Sequence, residues 1–188
     1  FEITPSLTEY KINFLTYEIN LIEFICLILF LGTLGKCTQF LFFSLIKKTT
    51  EGPISVTTLI HSLTLVIGSI FIVCKLSPLF EFAPNVLNFI KIIGSISAIS
   101  GAILALVQYD IKKIIAFSTF SQIGLMFISI GLSSYSIAIF HLITHSLSKS
   151  LIFLGIGTLI YNLSGEQDIR KMGGVYKKLP ISYIFIWV

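Results

Sequence analysis

Five apolar runs, each of about 20 residues or more, follow one another at 21–46, 54–74, 86–107, 114–132 and 136–161. A helix needs about 20 such residues to cross the roughly 30 Å hydrocarbon core of a bilayer. Inside that core the backbone must bond to itself, so a run of this kind is a helix. Pro5, Pro53, Pro78, Pro84 and Pro180 all lie outside the runs or at their edges, which leaves each run free to continue unbroken. A water-soluble domain has no means of hiding so much apolar surface, for hydrophobic residues make up 55% of the 188 and charged residues 12%. The expected fold is all-α: a polytopic transmembrane helical bundle with five full spans inside 21–178 and the start of a sixth at 179–188. Residues 1–20, with Glu2, Pro5, Glu9, Lys11 and Glu18, read as an N-terminal loop or interfacial segment. The chain opens on Phe1 and its last apolar run stops after about ten residues, so it reads as cut at both ends.

The polar connections set the expected orientation. Lys47, Lys48, Lys112, Lys113, Arg170, Lys171, Lys177 and Lys178 follow the first, third and fifth runs, whereas Lys11, Lys75 and Lys91 belong to the opposite side. Basic residues accumulate on the side that is not translocated, so loops 47–53, 108–113 and 162–178 are expected on a bacterial cytoplasmic or mitochondrial matrix face. The net charge of +4 therefore reflects topology, and no basic groove with interleaved aromatics suggests a nucleic-acid partner. Cys26, Cys37 and Cys74 are far apart in apolar runs without a CxxC spacing, which fits small apolar filler and indicates neither a zinc site nor an iron–sulfur cluster. The third run carries Gly94, Ser95, Ser97, Ala98, Ser100, Gly101 and Ala102, a small-residue stretch expected to pack closely on another helix.

Ionisable groups inside such runs are costly, and by default they mark an ion or proton route. In the fifth run His141, His145 and Lys149 recur every four residues. A helix turns about 40° over each such step, so the three form one slanting stripe about 12 Å long. Lys36 sits well inside the first run and His61 inside the second. A lysine whose charge is destabilised by burial, and a neutral imidazole that both donates and accepts, are the groups a proton relay needs. Other readings stand beside these. Lys91, about a turn from the end of its run, can snorkel to water. His61 can be a hydrogen-bonded structural imidazole, and His141 with His145 has metal-ligand spacing, although Lys149 would repel a cation and no acidic or thiol ligand is near. Thr38, Gln39, Ser118, Thr119, Ser121, Gln122, Thr144, Ser146 and Ser148 accompany the ionisable groups. They can satisfy backbone carbonyls or together hold water.

Several stretches carry a family resemblance. Ala105 to Met126 (ALVQYDIKKIIAFSTFSQIGLM), His141-x3-His145-x3-Lys149 and Glu166 to Gly174 (EQDIRKMGG) resemble the antiporter-like chain 5 family of proton-pumping NADH:ubiquinone oxidoreductase, respiratory complex I. Gly35-Lys36-x-x-Gln39, and Glu51-Gly52-Pro53 followed by His61, fall where that family has them, so the likeness covers about 34–180. It implies a subunit of the distal membrane arm in the mitochondrial inner membrane, with Lys36, His61, His141, His145 and Lys149 as proton-transfer residues. The subunit would belong to an enzyme while doing no redox chemistry itself: flavin, NADH and iron–sulfur clusters sit on other chains, and no cofactor or metal is expected here. Its partners would be other membrane-arm subunits, including chains that carry the rest of this one, and the lipid bilayer. In that family the Lys36 position lies on a discontinuous helix, its acidic partner lies upstream, and a further lysine lies downstream. The family's His-x-Trp-Leu-Pro segment is replaced here by Phe43, Ser44, Leu45, Ile46 and Lys47, which leaves Gly32 and Gly35 as the flexible points near Lys36. Two other readings remain open: a subunit of a cation/proton antiporter or of the plastid relative of complex I, which share the fold, and a structural membrane-arm protein that does not conduct.

Overall fold

The computed structural model describes residues 11–14, 17–37 and 65–187. His61, the 47–53 connection and much of the first two apolar runs lie outside the described residues. The chain is mostly helical. β1 (Lys11–Phe14) and β2 (Tyr17–Asn20) come first, followed by α1 (Leu21–Cys37), α2 (Leu65–Lys75), the single turn α3 (Ser77–Phe80), α4 (Pro84–Val107), α5 (Ile111–Gly131) and α6 (Tyr135–Asn162). A 3-10 turn at Ile169–Lys171, the single turn α7 (Val175–Lys178) and α8 (Pro180–Trp187) complete the described elements.

Of two expectations, one changes and the other is met only as far as the described residues reach. The segment before Leu21, read as a loop within an all-α chain, contains an antiparallel pair in which Ile12 stands opposite Ile19 and Phe14 opposite Tyr17. Its sequence alternates polar with β-branched or aromatic residues, the period of a strand. Second, the described residues contain three helices long and apolar enough to cross a membrane, α4, α5 and α6, at 24, 21 and 28 residues. α1 is described over 17 residues and α2 over 11, with the remainder of their apolar runs outside the described residues.

Local chemistry explains where the helices begin and end. α4 starts on Pro84, whose ring presets the first helical φ and whose missing N–H costs nothing there. α5 starts after Asp110, whose carboxylate accepts from the Lys112 backbone N–H at 3.0 Å. α5 and α6 both end through a left-handed serine, Ser133 (φ 58°) and Ser164 (φ 57°). The following N–H reaches back five residues in each case, Ser134 to the Ser129 carbonyl and Gly165 to the Ile160 carbonyl, both at 2.9 Å. This is the six-to-one closure of a Schellman ending.

α4 lies antiparallel along α5, and the small residues of α4 face it as expected. A Cβ on Gly124 would meet the Ala98 nitrogen at 2.6 Å, and one on Gly94 would meet the Gly124 oxygen at 2.9 Å. Toward one end a Cβ on Gly101 would strike the Phe120 ring at 2.7 Å; toward the other, one on Gly131 would strike the Leu87 oxygen at 2.9 Å. Ser121 Oγ donates across the seam to the Ala98 carbonyl at 2.8 Å. The core of the bundle gathers Phe30 from α1, Ile70 from α2, Phe80 from α3, Ile90 from α4 and Phe127 from α5. Phe30 meets Phe127 edge to face at 5.5 Å between ring centres.

The two ends of the bundle differ. At one end Asn85 donates to Glu23 and the Tyr135 hydroxyl to Glu81, each at 2.9 Å. At the other, the connection before α5 and the loop after α6 pair through their backbones: Ile111 N–H donates to the Gln167 carbonyl at 3.1 Å and Ile169 N–H to the Tyr109 carbonyl at 3.0 Å. Arg170 crowns this clasp, stacked 4.0 Å over the Tyr109 ring and donating from its terminal nitrogen to Asp168 at 2.7 Å.

Candidate functional site

The 28 residues of α6 form one helix, which makes the stripe real: His141, His145 and Lys149 lie on a common face turned toward α5. Together with Ser118 and Gln122 of α5 and with Thr144 and Ser148, they line an open groove of about 380 Å³. His145 and Lys149 are buried and His141 is half-buried. The groove therefore has a polar floor inside helices of membrane-crossing length.

Two side chains reach the stripe from α5. Lys149 Nζ donates to Ser118 Oγ, and His141 Nε2 lies 2.9 Å from Gln122 Oε1. Ser118 Oγ donates in turn to the Ile115 carbonyl at 2.8 Å. The His141 and His145 rings meet edge to face with centres 6.1 Å apart. The buried Nε2 of His145 has no hydrogen-bond partner among the described residues. Most other hydroxyls nearby take the structural role foreseen for them. Thr119 bonds the Ile115 carbonyl at 2.9 Å, Ser146 the Ile143 carbonyl at 2.9 Å and Ser148 the His145 carbonyl at 3.1 Å. Chemically, the arrangement offers two imidazoles and an amine, each able to take and give a proton, along one line with open space beside them for water.

The structure brings together three of the five expected site residues. Lys36 occupies the last turn of α1, exposed and outside the groove lining, and His61 lies outside the described residues. Lys91 is half-buried where α5 ends, its backbone nitrogen 3.0 Å from the position a Gly131 Cβ would take, a site near the bundle's polar end that suits snorkelling. Ser118 and Gln122 stood among many polar residues in the sequence, and only the register of α5 against α6 separates them from the rest. Their four-residue spacing, equal to that of the stripe, is the one signal that was there to find.

Outside the groove, the Asp168 carboxyl accepts from both the side chain and the backbone N–H of Arg170, and these bonds push its pKa down from 3.8 to about 2. The same contact raises Arg170 above its ordinary value.

Comparison with known proteins agrees with this architecture. Subunit L of the NADH-quinone oxidoreductase of Rhodobacter capsulatus is 39% identical over 188 residues, which is 100% of this chain and 26% of the relative. Chain 5 of the NADH-ubiquinone oxidoreductase of Acanthamoeba castellanii is 41% identical over 181 residues, 96% of this chain and 27% of the relative. Subunit L from Rickettsia bellii is 45% identical over 183 residues, 97% of this chain and 28% of the relative. The chain thus spans about a quarter of the length of these relatives. With residues 4–188 matched by the family model described as NADH:quinone oxidoreductase/Mrp antiporter, transmembrane, this membrane-spanning chain belongs to that family.

Proposed function

We propose that this chain is part of a proton-translocating, antiporter-like subunit in the membrane arm of an NADH:quinone oxidoreductase, relaying protons through intramembrane lysine, histidine and water. The observation that carries the proposal is the convergence of His141, His145 and Lys149 with Ser118 and Gln122 in one open groove between two helices of membrane-crossing length. Purely structural helices gain nothing from three basic groups on one face, since each costs free energy to keep in an apolar setting. Names of relatives that cover nearly all of this chain support the assignment to that enzyme.

In this reading the chain contributes five spans and the start of a sixth. Lys36 and His61 belong to the same route as the stripe, and redox cofactors reside on other subunits. Other membrane-arm chains, including those that complete this subunit, are its partners. The location is the mitochondrial inner membrane, with 47–53, 108–113 and 162–178 on the matrix side, in keeping with the basic residues of those loops.

The test is Lys149→Ala in the assembled complex, with NADH oxidation and pH-gradient formation followed together in sealed membrane vesicles. Gradient formation is expected to fall at least about a hundredfold, the lower end of the range for removing a positioned proton-transfer group. Unchanged gradient formation by a fully assembled variant would sink the proposal. A second reading, a subunit of a cation/proton antiporter, is favoured by the family description, which also covers Mrp antiporters. Purification of the native assembly separates the two, because flavin and iron–sulfur subunits accompany the chain only in the oxidoreductase.

A further inference from the structure

The two ends of the stripe are held from α5 and its middle is not. Among the described residues lining the groove, Ser118 and Gln122 are the ones whose side chains bond across to α6 side chains, Lys149 and His141 respectively. Between Ser118 and Gln122 on α5 comes Phe120, about 200° around the helix from Ser118. That ring is turned the other way, into the Gly101 contact with α4. His145 is 6% exposed, and its Nε2 has no partner among the described residues.

Hydrogen-bond capacity gives each contact a direction. Ser118 has one proton, donated to the Ile115 carbonyl at 2.8 Å, so it turns lone pairs toward Lys149. By rotating away from Ile115, the same hydroxyl can donate to the amine after Lys149 has given up a proton. Gln122 presents Oε1 to His141 Nε2, which holds the ring proton there and leaves Nδ1 as the acceptor.

We propose that Ser118 and Gln122 are positioning residues that pin Lys149 and His141 to α5, leaving His145 as the unpinned member that takes a proton from one and hands it to the other. The proposal rests on the reading of the groove as a proton route. No acidic side chain, and no basic side chain besides the stripe, lines the groove among the described residues of α2, α5, α6 and α8, so the relay involves only these groups and water.

The experiment uses the assembled complex in sealed vesicles and compares Ser118→Ala, Ser118→Thr, Gln122→Met and Lys149→Ala. Gradient formation is normalised to assembled complex, measured as NADH oxidation by hexacyanoferrate. Loss of a hydrogen bond to a charged or proton-bearing group is expected to slow gradient formation about tenfold in Ser118→Ala and Gln122→Met. Ser118→Thr, which restores the hydroxyl, is expected to recover it. If Lys149→Ala is slow while Ser118→Ala and Gln122→Met match the wild type, positioning is wrong and the proton route stands. If Lys149→Ala itself matches the wild type, the underlying reading has failed. If Ser118→Ala and Ser118→Thr both reduce assembly with unchanged gradient formation per complex, Ser118 is a packing residue and the proposal falls.

Discussion

At the scale of single residues, the glycines of the α4–α5 seam leave no room for a side chain, and that has the sharpest consequences. A Cβ on Gly124 would lie 2.6 Å from the Ala98 nitrogen, 2.7 Å from the Gly94 oxygen and 2.7 Å from Ser97 Oγ. Two of those neighbours are backbone and cannot swing aside, so Gly124→Ala is expected to force α4 and α5 apart at a cost of about 1–3 kcal/mol. A lower midpoint of thermal inactivation of the assembled complex is the measurement; an unchanged midpoint would show that the seam has slack. The opposite sign is expected at Ser133, held at φ 58°. Glycine adopts that conformation without a Cβ clash, so Ser133→Gly should stabilise by up to about 1 kcal/mol and raise the same midpoint. The small-residue stretch of α4 could be read from sequence as a packing face, and the stripe of α6 as a costly anomaly. Gly124 and Gln122 could not be assigned in that way. A lone glycine or amide in an apolar run has many uses, and choosing among them requires the register between helices.

At the scale of elements, helix boundaries depend on caps more than on where apolar residues begin. The fourth apolar run was expected from residue 114, yet α5 begins at Ile111, because Asp110 accepts the Lys112 N–H and draws Lys112 and Lys113 into the first turn. Two cations there oppose the helix dipole, which makes the capping carboxylate more important. Asp110→Ala is therefore expected to cost about 1 kcal/mol, read as faster amide exchange in the first turn of α5. The loop clasp gives a pH dependence. Asp168 titrates at about 2 in the folded chain against 3.8 ordinarily, because Arg170 donates to its carboxylate from side chain and backbone. A depressed acid stabilises the fold above its unfolded pKa and loses that contribution as pH falls through the folded one. The clasp should thus be intact at neutral pH and weaken between about pH 4 and 2. At neutral pH, Asp168→Asn should reproduce the acid effect, with faster exchange at the Ile111 and Ile169 amides that close the clasp. Exchange at those amides that is indifferent to the substitution would mean that the backbone bonds hold without the ion pair. The EQDIRKMGG stretch was legible as a polar loop. Its pairing with residues 109–111 was not, since two loops separated by two spanning helices carry no local signal of their contact.

At the scale of the whole molecule, the clasp fixes which ends lie together. The end of α4, the start of α5 and the end of α6 meet where Tyr109 and Ile111 bond Ile169 and Gln167, while Glu23, Glu81, Asn85 and Tyr135 gather at the far end. α4, α5 and α6 therefore alternate in direction, in keeping with the distribution of lysines and arginines. Lys112, Lys113, Arg170 and Lys171 share the clasped end, and Lys75 lies beyond the other. Because basic residues stay on the untranslocated side, the clasped end is expected on the matrix or cytoplasmic face. This can be measured without any assay of activity. With Cys26, Cys37 and Cys74 replaced by alanine, a single cysteine is placed either at Gly173, exposed in the loop after α6, or at Ser133, exposed between α5 and α6. A membrane-impermeant maleimide added to inverted vesicles should label the Gly173 variant and spare the Ser133 variant; right-side-out vesicles should give the reverse. Labelling of both positions from one side would contradict alternate crossing by α5 and α6. The reverse pattern in both preparations would keep the fold and invert the chain in the membrane, placing the Arg170 clasp on the side that positive charges ordinarily avoid.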